Sequence, residues 1–74
     1  MDKKPEWLTR AEDEQRELAG KIKRLAAMLA DAARMQDLDM MNRALLHEQL
    51  AAMTVYNSKL IIRIQLHGGT TCAE

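Results

Sequence analysis

The chain reads as all-α: an antiparallel two-helix hairpin of coiled-coil type, assembling into a symmetric homo-oligomer. Two patterns predict this. Leu8, Ala11, Leu18, Ile22, Leu25, Leu29 and Ala32 recur at alternating spacings of three and four, with Gln15 the one polar interruption, which is a heptad seam. From Met40 to His67 apolar residues fall on two opposite sides of one helix. Leu46, Leu50, Met53, Leu60, Ile61 and Ile64 lie on one side, and Met41, Ala44, Ala51, Val55, Ile62 and Leu66 on the other. A single partner helix covers only one of these sides, and 74 residues leave room for only one other long helix. The second side therefore calls for another subunit or a bound partner.

The whole chain, residues 1–74, is expected to form one domain: a first helix over about 5–34, a turn at 35–39, a second helix over about 40–67 and a frayed tail at 68–74. Pro5 suits a first helical turn, where its missing N–H is harmless. Thr9 with Glu12 makes a capping box, so the first helix starts near Pro5 or at Thr9. Its outer face, with Glu12, Asp13, Arg16, Glu17, Lys21, Lys23, Arg24 and Asp31, is expected to be solvated. Gly20 costs about 1 kcal/mol relative to Ala inside a helix. It reads either as simple tolerance or as a place of close approach, and Ala19, Ala26, Ala27, Ala30 and Ala33 nearby suggest a second, tighter helix contact. Asp37 or Asp39 caps the second helix, and Gly68 and Gly69 stop it.

A two-helix hairpin this small needs reinforcement. The single cysteine, Cys72, closes no internal disulfide and reads as an exposed reduced thiol in a cytosol. Eleven Lys and Arg balance eleven Asp and Glu, so no long-range field favours DNA or an acidic membrane. The opening MDKKPEWLTR fits neither a secretory signal nor an anchor, and no stretch approaches the roughly 20 apolar residues of a membrane span.

Tyr56, Lys59 and Arg63 share one flank of the second helix, and a ring, an ammonium and a guanidinium together suit a phosphate-bearing nucleotide. The competing reading is a solvated edge. An antiparallel hairpin brings Trp7 and Arg10 toward the Arg63 and His67 end, which completes the candidate ligand set. The candidate oligomer interface is Met41, Ala51, Val55, Asn57, Ile62 and Leu66; Asn57, a lone amide in a seam, fixes register or contacts a ligand. His47 and His67 lie about 30 Å apart along one helix, and no metal, cofactor or catalytic triad spacing is present. An enzyme is not expected.

The stretch Leu45 to Ile64, LLHEQLAAMTVYNSKLIIRI, resembles the C-terminal signature of short phage proteins named after a gene product of a crAss-like phage. Leu45, Leu46, Gln49, Leu50, Ala52, Met53, Tyr56, Leu60, Arg63 and Ile64 carry the pattern, and ELAGKIKRLAAML resembles that group's first helix. The resemblance implies a non-enzymatic phage accessory protein acting in the cytoplasm of an infected bacterium. By analogy with oligomeric helical sponges, the leading expectation is sequestration of a host immune nucleotide, of cyclic oligonucleotide or cyclic ADP-ribose type, at subunit interfaces. The alternatives are a protein-binding inhibitor of a host defence enzyme and a structural or assembly protein of the phage.

Overall fold

A computed structural model describes residues 3–72. Three helices follow in order: α1 (Glu6–Leu29), α2 (Ala32–Gln36) and α3 (Met40–Leu66). The long helices pack antiparallel into a rod 55 Å long and about 16 Å across. Pro5 sits at the N-cap of α1 with φ −60° and ψ 148°, the φ its ring imposes. Its carbonyl accepts from the Leu8 and Thr9 amides at 3.0 and 3.2 Å. Thr9 is thus already inside the helix, and the capping-box start is not used.

The first helix does not run to residue 34. It ends at Leu29 because Asp31 adopts an extended conformation and accepts from the amides of Ala33 and Arg34, a local cap that competes with helix continuation. The short α2 buries Met35 against the hairpin. Asp39 then caps α3 by accepting from the Asn42 amide at 2.7 Å.

The seam between α1 and α3 is closed at one end and loose at the other. Leu8, Ala11, Leu18, Leu60 and Ile64 are buried, whereas Ile22, Leu25, Leu29, Leu46, Leu50 and Met53, toward the turn, are only partly covered. Two polar side chains sit in the closed half, Gln15 and Asn57, both 0% exposed. Gln15 Nε2 donates to Asn57 Oδ1 at 3.0 Å. Asn57 therefore belongs to the seam within the chain, and its expected place in an oligomer interface is corrected: the α3 face it shares with Leu60 and Ile64 looks at α1. Its Nδ2 is buried without a partner among the described residues.

The expected frayed tail is instead a strap as far as Cys72; Ala73 and Glu74 lie outside the described residues. Gly68 turns the chain with φ +75°, a conformation favourable to glycine. The Gly69 amide bonds back to Ile64 O at 2.9 Å. The Thr70 amide then donates to Glu12 Oε2 at 2.7 Å, and the Cys72 amide donates to Gln15 Oε1 at 2.7 Å while Gln15 Nε2 reaches Cys72 O at 3.2 Å. Cys72 is accordingly half-buried, not fully exposed. Glu12 is not solvated as expected: it is buried, holding Lys4 Nζ at 2.9 Å as well as the strap.

The two helix-related glycines should respond oppositely to alanine. At Gly20 an added Cβ meets only the guanidinium end of Arg24 at 3.3 Å, and that exposed side chain can swing aside, so Gly20→Ala should stabilise by about 1 kcal/mol in thermal unfolding. At Gly69 the Cβ falls 2.6 Å from Ile64, 2.7 Å from Glu12 and 3.1 Å from Leu8, so Gly69→Ala should expel the strap. Loss of hydrogen-exchange protection at the Thr70 and Cys72 amides reads that release.

The Thr70 amide first, and then Lys4, hold the Glu12 carboxyl below its ordinary range. A depressed folded value means that this contribution is present above the usual carboxylate pKa and is lost as pH falls through the depressed one. Protection of the Thr70 amide should fall on acidification through that window, and Glu12→Gln should abolish the dependence.

Asn57→Leu removes a buried unpaired amide along with one hydrogen bond, while Gln15 keeps its bonds to Cys72. Because an unsatisfied buried donor costs about 1–3 kcal/mol and a hydrogen bond contributes about 1, the variant should melt higher. A lower melting temperature would show that Nδ2 has a partner in solution.

Candidate functional site

Helical geometry gives the hairpin two side grooves, and different residues fill them. On one side lie Glu12 and Gln15 with the strap. On the other, Trp7 and Glu14 of α1 face Tyr56 and Arg63 of α3 with His67 just beyond it, because residues three, four and seven apart share a helix face.

Trp7 is the centre of the second groove. Half-buried, it packs on the Leu8, Ala11 and Ile64 cluster. The His67 ring meets it edge-on with centroids 4.8 Å apart, and the Arg63 guanidinium carbon lies 5.6 Å from the Trp7 ring centroid. That is a cation–π distance, and it positions Arg63 without an acidic partner among the described residues. Two turns away, the Tyr56 phenol donates to the Glu14 carboxylate. That bond raises the Tyr56 pKa above its ordinary value, with burial and the Glu14 charge adding to it and Arg63 opposing. The phenol is a protonated donor at neutral pH.

The structure therefore brings Trp7, Tyr56 and Arg63 to one groove. Lys59 and Arg10 stand apart: Lys59 is exposed on the outer edge of α3, and Arg10 turns to Glu6 of its own helix at 3.4 Å. Two participants were missed in the sequence. They are His67 and Glu14, neither of them in the candidate ligand set. The signal for Glu14 was its position opposite Tyr56 once the hairpin register is set.

Chemically, the groove offers two aromatic surfaces, an imidazole, a guanidinium and one carboxylate acceptor. Such a set stacks a planar base, holds a phosphate and accepts from a sugar hydroxyl or an amine. Among the described residues the single chain encloses no pocket, so the groove is open to water on its outer side.

The outer face of α3 is bare. Met41 is 68%, Val55 58%, Ile62 51% and Leu66 76% exposed, and Ala51 is exposed with them. No helix among the described residues is long and apolar enough to cross a membrane.

Comparison with curated proteins and with solved structures gives no match. A family profile does match, over residues 5–66, from the proline that starts α1 to the last residue of α3. The match takes in Trp7, Glu14, Tyr56 and Arg63, and its name denotes a binding role rather than a catalytic one. The chain belongs to the Sequestin family.

Proposed function

We propose that this protein is a non-catalytic sponge that binds a phosphate-bearing nucleotide signal and withholds it from its receptor. The observation that carries this reading is the Arg63 guanidinium, held by the Trp7 ring and uncommitted to any carboxylate among the described residues, in a groove that Tyr56 and His67 extend. Arg donates two parallel bonds to a phosphate, and the rings supply stacking surface for a base. Arg10, exposed on α1 beyond Trp7, adds positive charge at one edge of the groove. The sequestering role named by the family supports the same reading.

The resemblance of Leu45 to Ile64 to short phage proteins supports a role for this sponge in the cytoplasm of an infected bacterium. There it would act against host defence by capturing a cyclic oligonucleotide or a cyclic ADP-ribose isomer. An open groove on one chain excludes little water, and enclosed sites bind small ligands best. The bare face of α3 supports completion of each site by a second copy.

Calorimetry against a panel of cyclic di- and trinucleotides and cyclic ADP-ribose isomers should find a ligand for the wild type. Arg63→Ala should weaken binding roughly tenfold or more, since a charge-assisted bond contributes about 1.5–3 kcal/mol. Trp7→Ala and Tyr56→Ala should each cost about 1–3 kcal/mol of stacking. Wild-type protein that binds no nucleotide at micromolar concentration but captures a host enzyme replaces this reading with that of a protein-binding inhibitor.

A further inference from the structure

The outer side of α3 carries a second heptad stripe that differs from a general apolar face. Met41, Leu45, Glu48, Ala52, Val55, Lys59, Ile62 and Leu66 follow one another at spacings of four, three, four, three, four, three and four. All are exposed, on the side of the helix away from Leu60 and Ile64. The stripe is a palindrome about a point between Met53 and Thr54: two apolar residues, a charge, two small or branched residues, a charge, two apolar residues.

We infer that α3 docks on α3 of a second copy, antiparallel, with a two-fold axis at that point. This rests on the self-association in the proposed function and gives it a register. In that register Met41 meets Leu66, Leu45 meets Ile62, Ala52 meets Val55 and Glu48 meets Lys59, each pair occurring twice by symmetry. These are the cross-helix layers of an antiparallel coiled coil. A parallel, in-register pair would set Glu48 against Glu48 and Lys59 against Lys59 inside the seam, which like-charge repulsion opposes. Within the chain neither Glu48 nor Lys59 pairs with another described residue. A foreign partner would have no need of a palindromic stripe, whereas a two-fold contact requires one, because each patch must fit itself.

The register also says what the second copy does for the site. Gln49, Tyr56 and Arg63 recur every seven residues along one edge of the stripe. In an antiparallel pair the corresponding edges of both helices lie on the same side of the interface. Tyr56 and Arg63 of one copy are thereby brought to the same face as those of the other, and Lys59 is assigned to the subunit contact rather than to the ligand.

Zero-length carbodiimide coupling on the wild-type protein tests the pairing directly. Glu48 and Lys59 of one chain are about 16 Å apart along the helix, too far to couple to each other, so a Glu48–Lys59 link must join two chains. Mass spectrometry on mixed isotopically light and heavy protein should find that link. Glu48→Lys and Lys59→Glu should each raise the dissociation constant of the dimer by roughly tenfold or more, and the double variant Glu48→Lys/Lys59→Glu should restore it, as read by sedimentation alongside circular dichroism. A wild-type oligomer that gives no such link and ignores both reversals overturns the register but leaves self-association standing. A wild-type monomer overturns both. A dimer with the link but without nucleotide binding upholds the register while the sponge reading fails.

Discussion

One buried amide, Gln15, ties together the three segments of the chain that would otherwise separate. Its Nε2 donates to Asn57 of α3 and to Cys72 O of the strap, and its Oε1 accepts from the Cys72 amide. A fully buried polar side chain is unfavourable unless its groups are paired, so the side chain enforces the alignment that pairs it. A slip of α3 against α1 by one turn would leave Gln15 and Asn57 facing apolar neighbours. The apolar contacts alone are permissive, since Leu, Ile and Met repack at modest cost. The amide pair is what makes one register better than its neighbours.

That alignment divides the surface. With Gln15 opposite Asn57, Glu12 falls on the groove that receives the strap, and Trp7 and Glu14 on the groove that receives Tyr56 and Arg63. Both grooves are thus consequences of one pairing in the core. The strap closes its groove with backbone hydrogen bonds to two side chains of α1. The opposite groove has no covering segment among the described residues and leaves a guanidinium over an indole at its mouth. The asymmetry separates a side that stabilises the hairpin from a side left open to solvent.

Much of this could be read from residues alone. The alternating spacing from Leu8 to Leu29 and the opposed faces of the second helix give the hairpin and its bare side, because helical periodicity is a local property. The meeting of Trp7 with Arg63 follows from the antiparallel arrangement. What was not legible depended on tertiary partners. Asp31 looked like one more surface charge until its side chain competed with the helix for two amides. Glu12 looked solvated because its partners, Lys4 and the Thr70 amide, lie outside its helix, one of them 58 residues away. Gln15 and Asn57 were each noticed as interruptions of an apolar seam, but only the register shows them to be one interruption shared by two helices.

Affinity is the quantity a sponge depends on, since it removes signal stoichiometrically and never turns over. Nanomolar retention corresponds to about 12 kcal/mol, while binding also has to offset lost translational and rotational freedom. One open groove offers a guanidinium, two or three ring faces and a carboxylate, worth about 1–3 kcal/mol apiece in contacts of this kind. Those contributions are insufficient with solvent on the outer side. A second copy laid antiparallel along α3, as proposed, would change the arithmetic without any new residue type by removing water from part of the groove, where charge-assisted bonds are stronger. The palindromic stripe and the ligand groove are therefore two halves of one requirement. On that proposal a hairpin of 74 residues would gain affinity through the water its second copy excludes rather than by enclosing a site within one chain.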